Sequence, residues 1–333
     1  MISWIVGLFV AALVALALFT FAQSRRIEAR YPPVGELVDV GPGVVHVVET
    51  APTGPERGAV LLVHGASGNY ADMHEALAPR LAGLGFRVFA VDRPGHGWSS
   101  RLGGPDASAP IIQAEWIRRA LAIRGVDRAI VVVHSLAGVL GLAMALEAPR
   151  FTRGLVLLSP VSHPWPGGVL WYYNLAASKL WGPLFRGLVV LPVGLMTMAG
   201  GVRSVFEPSP TPADYIARTR LPLVLRPKQF RANAEDVFDI AAHAAVLSKR
   251  YGAIRAPTAI VTGDQDSVVY AHIHSTGSAR DIPGATLRVL EGVGHSPHYS
   301  APDVVIDAIL EVDRRAAESE ASPAPMGLAG SAG

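Results

Sequence analysis

The sequence predicts an α/β protein with a mostly parallel central sheet flanked by helices. Short apolar, β-branched runs recur along the chain, and Ala129–His134 is typical of a strand buried on both faces. Segments with helical spacing of apolar residues alternate with these runs, as in Leu136–Leu146. Half of the 333 residues are hydrophobic, which is enough to bury a sizeable core.

Composition excludes several classes of function. The chain has no cysteine, so disulfides, thiolate metal sites and cysteine nucleophiles are excluded. The formal net charge is only +2, so charge gives no general argument for a nucleic-acid partner.

The first 24 residues are expected to form a transmembrane anchor, followed by a juxtamembrane linker over residues 25–34. Ile2–Ala22 carries no charge, and as a helix it would span about 31 Å, close to the hydrocarbon thickness of a bilayer. The long apolar run and the uncharged start favour an uncleaved anchor over a signal peptide. Three arginines of the linker follow directly, so the positive-inside rule predicts a single-pass protein with a cytoplasmic globular part.

Beyond the linker, the pattern of apolar runs and turn residues places strands and helices in alternation. A hairpin is expected first, because Glu36–Val40 and Val44–Glu49 alternate around Gly41-Pro-Gly43. The later expected strands are Ala59–Val63, Phe86–Val91, Ala129–His134, Leu155–Leu158, Thr258–Thr262 and Thr286–Leu290. The expected helices outside residues 160–245 are Met73–Leu84, Ile111–Ile123, the segment after Ser135, and Asp303–Arg315.

Ser135 lies where the buried strand turns into a helix. This geometry would expose its hydroxyl above the sheet edge and aim backbone N–H groups of the helix start at a developing oxyanion. The alternative interpretation is an ordinary helix N-cap. The segment Val133-His134-Ser135-Leu136-Ala137 resembles the nucleophile turn of the α/β-hydrolase family, Gly-x-Ser-x-Gly, although Val133 and Ala137 replace its two glycines.

Two further loops carry the same resemblance. His64-Gly-Ala-Ser-Gly68 is similar to the family's loop after the third strand, which implies that the N–H groups of Ala66 and Leu136 form the oxyanion hole. Asp92-Arg-Pro-Gly-His-Gly-Trp-Ser99 is similar to a structural turn of epoxide-hydrolase and haloperoxidase types.

The resemblance also implies the other two members of a catalytic triad. Asp266 matches the acid in the loop after the strand Thr258–Thr262, with Asp264 as the fallback. His295 matches the base in the loop after the last strand, and His298 is the weaker candidate. The order Ser, Asp, His is the one expected for this fold, and a serine hydroxyl needs such a base and anion to act as a nucleophile.

The regular alternation of expected strands and helices stops after Leu158. The resemblance implies that a cap is inserted here, over residues 160–245. The core would then comprise residues 35–159 and 246–315. Trp165, Trp171 and Tyr172 of the cap are the expected substrate-binding residues, and the apolar stretch Pro183–Ala199 is expected to form a pair of lid helices rather than a second membrane span. Residues 316–333 are rich in Ala, Ser, Pro and Gly and are expected to be disordered.

The expected function is hydrolysis of an ester, thioester or lactone of a small hydrophobic substrate through an acyl-enzyme. Serine in the turn argues against dehalogenase and epoxide-hydrolase chemistry, which uses a carboxylate there. Carbon–carbon bond hydrolysis, acyl transfer and a non-catalytic binding module remain alternatives. The resemblance implies no cofactor and no catalytic metal, and the oligomeric state stays undetermined.

Overall fold

An eight-stranded sheet forms the centre of the fold in a computed structural model that describes residues 2–321. The strand order is β1-β2-β4-β3-β5-β6-β7-β8; β1 and β2 are antiparallel to their neighbours, and the strands from β4 to β8 are parallel. The strands are β1 Glu36–Asp39, β2 Val44–Thr50, β3 Gly58–Val63, β4 Phe86–Val91, β5 Ala129–His134, β6 Thr152–Leu158, β7 Thr258–Gly263 and β8 Thr286–Leu290. The predicted hairpin and the predicted parallel sheet are both present.

Helices cover both faces of this sheet. Two of them, α2 and α12, pack on one face around Leu77 and Ile309, while α3 and α4 pack on the other around Ile117 and Leu140. The central strands are therefore buried on both sides, which explains their continuous apolar sequences. The helices flanking the sheet are α2 Tyr70–Gly83, α3 Pro110–Ile123, α4 Ala137–Glu147, α10 His274–Asp281, α11 Pro297–Ser300 and α12 Pro302–Ala321.

Between β6 and β7 the chain forms the helical cap. Its helices are α5 Trp171–Ala177, α6 Gly182–Phe185, α7 Leu191–Phe206, α8 Tyr215–Arg218 and α9 Pro227–Leu247. A π turn over Arg186–Val190 joins α6 to α7, so that Gly182–Phe206 is one continuous helix, called here the cap helix. The expected pair of lid helices is therefore wrong, because the interior glycine and the proline at the start of α7 are accommodated without a break.

The cap boundary at residue 245 falls inside α9. The first half of α9 packs with the cap through Phe230 and Ala234, whereas its second half packs on the core through Ile240 and Leu247. One helix thus belongs to both layers, which a boundary read from the sequence pattern could not show.

The N-terminal helix α1, Ile2–Arg30, is longer than the expected anchor. It continues through residues 25–30 of the expected linker, since Arg and Glu are good helix formers. Most of α1 is exposed, but Ile27 near its end is buried in the apolar cluster of the cap. Helix α12 likewise continues to Ala321, so the expected disorder is wrong for residues 316–321, and residues 322–333 lie outside the described part of the chain.

Candidate active site

Ser135 occupies a strained turn between β5 and α4. Its backbone is left-handed, with a φ of 55°, a conformation that a residue with a side chain adopts at a cost of about 1–2 kcal/mol. Three backbone hydrogen bonds hold the turn: the Ser135 N–H donates to the Leu158 carbonyl, and the N–H groups of Gly138 and Val161 donate to the Ser135 carbonyl, over 2.8–2.9 Å. The turn is therefore fixed by β6 and by the segment that follows it.

Glycines outside the usual motif provide the space for this turn. A Cβ on Gly65 would lie 2.8 Å from the Cβ of Ser135, and one on Gly138 would lie 2.5 Å from the Val161 carbonyl oxygen. A Cβ on Gly141 would lie 2.8 Å from a methyl group of Val133. Val133 thus fits where the family pattern has glycine because Gly141 of α4 faces it.

The three predicted triad residues meet at the carboxyl ends of their strands. His295 Nε2 lies 2.8 Å from Ser135 Oγ, and His295 Nδ1 lies 2.8 Å from Asp266 Oδ2. All three side chains are buried or nearly so, which removes competing water from both hydrogen bonds. A proton can therefore move from the serine hydroxyl to the imidazole, with the carboxylate holding the ring in the required tautomer.

Asp266 is held ionised by its surroundings. Burial raises the pKa of its carboxyl, but the hydrogen bond to His295 and those from the N–H groups of Val268 and Val269 outweigh that effect, and the pKa lies below its ordinary value. Asp264 has a different role, since its Oδ1 accepts the N–H of Gly292 over 2.8 Å and so fixes the turn that leads to His295.

The expected oxyanion donors follow adjacent strands. Val63 of β3 pairs with Val133 of β5, so the segments carrying Ala66 and Leu136 emerge side by side. Within residues 2–321, neither of these two N–H groups donates to a protein acceptor, which leaves both available to a substrate oxygen. Their role as an oxyanion hole stays a prediction.

The cap holds the loop that carries Ala66. Asn233 of α9 accepts the Ser67 N–H over 2.6 Å and donates to Ser67 Oγ over 3.1 Å. Tyr173 of α5 lies 3.1 Å from the same hydroxyl. Ser67 has a left-handed backbone with a φ of 54°, so these contacts fix a conformation that the isolated loop would avoid.

A second set of contacts ties α9 to the core. Arg93 donates to Asp236 Oδ2 over 2.6 Å, and both side chains are buried. Gln113 and Arg101 donate to Asp236 Oδ1, which leaves no oxygen of this carboxylate unpaired. The fully paired carboxylate of this buried ion pair fixes the position of α9 relative to the sheet.

An apolar cavity of about 500 Å³ opens above the triad. Trp171 and Tyr172 line it, as expected for substrate-binding residues. Trp165 does not: it packs edge-on against His274 at 5.4 Å between ring centroids and donates to the Gly168 carbonyl. The expected role of Trp165 is therefore corrected, because this residue precedes the cap helices and lies against α10.

Most of the cavity wall comes from residues that the sequence did not single out. The cap helix contributes the largest part, with apolar residues spaced three or four apart, as one face of a helix requires. These residues are Val189, Val190, Val193, Met198, Val202, Val205 and Phe206. Asp72, at the start of α2, lines the polar end beside His134. The helical spacing of apolar residues in the cap could have revealed the residues of the cavity wall. In contrast, nothing in the sequence around Asp72 distinguishes this residue from an ordinary exposed aspartate at the start of a helix.

Comparison with known proteins identifies the family of this chain. The family model of the α/β hydrolase fold matches residues 58–302, and the chain belongs to that family. An uncharacterized protein of Mycobacterium tuberculosis is 29% identical over 269 residues, covering 75% of this chain and 74% of that protein. Mouse monoglyceride lipase is 26% identical over 280 residues, covering 79% and 83%.

Among solved structures, a membrane phospholipase A described as a bacterial virulence factor superposes with a TM-score of 0.63 at 21% identity. The match covers 94% of this chain and 99% of that one, and it shows a shared fold. The match to the α/β hydrolase family and the similarity to a monoglyceride lipase support a hydrolase.

Asp264 and Asp266 lie in the same loop and provide a matched test of which residue is the acid of the triad. Asp266→Asn should lower kcat/KM for a short-chain ester on the order of 10⁴-fold, because the amide cannot hold the His295 tautomer or stabilise its charge. Asp264→Asn should change kcat/KM only a few-fold, since the amide oxygen can still accept the Gly292 N–H. Steady-state kinetics on folded variants checks both values, and the reverse ranking would show that Asp266 is not the acid.

Proposed function

We propose that the protein is a serine hydrolase that cleaves neutral, hydrophobic carboxylic esters, thioesters or lactones through an acyl-enzyme. The observation that carries this proposal is the hydrogen-bonded chain from Ser135 through His295 to Asp266, placed at the floor of an apolar cavity.

In the first half of the reaction, Ser135 Oγ attacks the substrate carbonyl carbon and gives its proton to His295 Nε2. The oxyanion that forms accepts hydrogen bonds from the N–H groups of Ala66 and Leu136. The tetrahedral intermediate then collapses, the bond to the leaving oxygen or sulfur breaks, and His295 gives that atom the proton. An acyl group remains on Ser135.

In the second half, His295 takes a proton from a water molecule that attacks the acyl carbonyl, and the ester bond to Ser135 breaks. The proton returns to Ser135 Oγ and the carboxylic acid leaves. Throughout, the Asp266 carboxylate stabilises the imidazolium that forms twice in each cycle.

The cavity wall supports an uncharged acyl group. Among its lining residues in the described chain there is no Lys or Arg, and Asp72 is the one acidic residue. A carboxylate on the substrate would find no lysine or arginine partner in this wall and would lose its hydration there. Burial of each methylene group is instead favourable by about 0.8 kcal/mol.

An ester series tests the reaction and the substrate class together. From acetyl to octanoyl esters of one alcohol, kcat/KM should rise by at least roughly tenfold, because two well-buried methylene groups already supply that factor. A hemisuccinate ester of similar length should be turned over far more slowly than the neutral butanoyl ester. Release of the common alcohol gives the rates.

Ser135→Ala is the control for this series and should remove turnover of every ester. Hydrolysis that persists in Ser135→Ala would contradict the serine mechanism. Loss of rate with growing acyl length, or preference for the hemisuccinate, would contradict the apolar substrate class while leaving the mechanism intact.

We further propose that α1 anchors the protein in a membrane, with the globular part cytoplasmic, and that the cap helix lies at the bilayer surface. Two helices in the described chain are long and apolar enough to cross a membrane, Ser3–Arg30 and Gly182–Phe206. The first is almost wholly exposed along its apolar window, which supports a span in lipid. The second uses one side for the cavity wall, which supports an interfacial position instead.

Contacts at the base of α1 support this arrangement. Arg226 of the cap donates to Glu28 over 3.3 Å and also to the Gly97 carbonyl of the core, while its guanidinium stacks on Trp98. Trp98 in turn donates to the Tyr31 carbonyl. These contacts fix the end of α1 to the cap and the core. Helix α1 also packs against the cap helix, which exposes Leu184 and Met196, the latter 85% exposed.

A truncated protein of residues 25–333 separates the two membrane contacts. It keeps Ile27 and Glu28, and it should bind lipid vesicles weakly through the cap helix and hydrolyse a soluble short ester at the full-length rate. Met196→Glu should abolish this residual binding because a charge then enters the bilayer surface. The matched control Val246→Glu, at an exposed apolar residue of α9, should not.

Vesicle flotation measures the binding. Equal binding by the Met196→Glu and Val246→Glu variants, or none by the truncated protein, would remove the cap helix from the proposed membrane surface.

A further inference from the structure

Three buried side chains beside the triad take no part in the hydrolytic mechanism. Asp72 lies in the first turn of α2, His134 ends β5, and His298 lies in α11. Asp72 Oδ2 is 3.4 Å from His298 Nε2 and 3.9 Å from His134 Nδ1. One ligand atom from each residue lies within 4.8 Å of the others, so three separate segments converge on one point.

Hydrogen bonds elsewhere leave lone pairs directed at this point. Asp72 Oδ1 accepts the hydroxyl proton of Tyr215 over 2.8 Å, which leaves Oδ2 free of that bond. His134 Nε2 lies 3.0 Å from the His295 carbonyl oxygen, which can only accept, so Nε2 carries the proton. The neutral ring then has a bare Nδ1 that faces the Asp72 carboxylate.

His298 gives a second and independent indication. Its side chain is 1% exposed, and within residues 2–321 neither ring nitrogen has a hydrogen-bond partner. An unpartnered polar group of this kind destabilises the folded protein when it is buried. A carboxylate oxygen and two imidazole nitrogens that face one another offer three ligand atoms to a cation between them.

We propose that Asp72, His134 and His298 bind one divalent transition-metal ion of the Zn²⁺ class. Two imidazoles and one carboxylate form a donor set typical of such ions. Bonds of about 2.0–2.1 Å in a tetrahedral site separate ligand atoms by roughly 3.3 Å. The Asp72–His298 pair at 3.4 Å already meets that spacing, and the Asp72–His134 pair at 3.9 Å needs a shift of about half an ångström. The two histidine ligand atoms lie within 4.8 Å of each other and close on the ion by rotation of their side chains.

Two of the ligands, Asp72 and His134, also line the cavity. The ion would join α2, β5 and α11 directly behind the catalytic histidine, whose ring lies 4.8 Å from that of His134. Binding to the folded state alone should therefore also stabilise the protein against heat.

Cobalt titration of the tag-free, full-length protein in detergent tests this site. Co²⁺ should give one equivalent of visible d–d absorption, should be displaced by Zn²⁺, and should raise the thermal midpoint. His298→Asn and Asp72→Asn should each weaken the affinity for Co²⁺ by at least tenfold. His272→Asn, at an exposed histidine ahead of α10, should leave the affinity unchanged.

Absence of the cobalt absorption in the wild-type protein would overturn the proposal and would show that the three residues share only a proton. Equal affinity of the His298→Asn, Asp72→Asn and His272→Asn variants would overturn it by placing the ion elsewhere. Should the first two variants fail to fold, X-ray absorption of the cobalt-loaded wild-type protein decides: two imidazoles and a carboxylate support the site, and another ligand set contradicts it.

Discussion

The left-handed turn at Ser135 is the constraint on which the site depends. Its backbone strain is tolerated because three hydrogen bonds fix the turn and because glycines face it from three directions. Gly65 approaches from the β3 loop, Gly138 packs on the segment after β6, and Gly141 makes room for Val133. The geometry that aims Ser135 Oγ at His295 is thus a property of the neighbouring elements as much as of the motif.

The cap contributes to this geometry rather than merely covering it. Asn233 fixes the left-handed Ser67 and with it the loop of Ala66, while Asp236, three residues further along α9, is held by buried Arg93. The same cap carries Arg226, which contacts the end of α1. A displacement of the cap would consequently move both the loop that carries Ala66 and the end of α1, because these contacts converge on one layer of helices.

Much of the fold and the convergence of Ser135, Asp266 and His295 could be predicted from the sequence, since buried parallel strands are continuous apolar runs and these residues follow them directly. What could not be predicted depends on contacts between distant segments. The sequence does not show that Gly141 faces Val133 and so makes room for it. It also does not show in which direction the Trp165 side chain points, and this is why Trp165 was wrongly expected to bind substrate. The sequence around Asp72 does not indicate a shared site with His134 and His298, because only the fold brings these three residues together.

The central claim is that Ser135 becomes acylated during turnover. Rapid acid quench of a reaction with a slowly deacylated octanoyl ester, followed by mass analysis of the intact protein and its peptides, measures this directly. One octanoyl group per chain is expected on the peptide that contains Ser135, and no octanoyl group is expected on the Ser135→Ala variant. Turnover of the ester without any covalent acyl group on that peptide, under conditions where deacylation limits the rate, would contradict it.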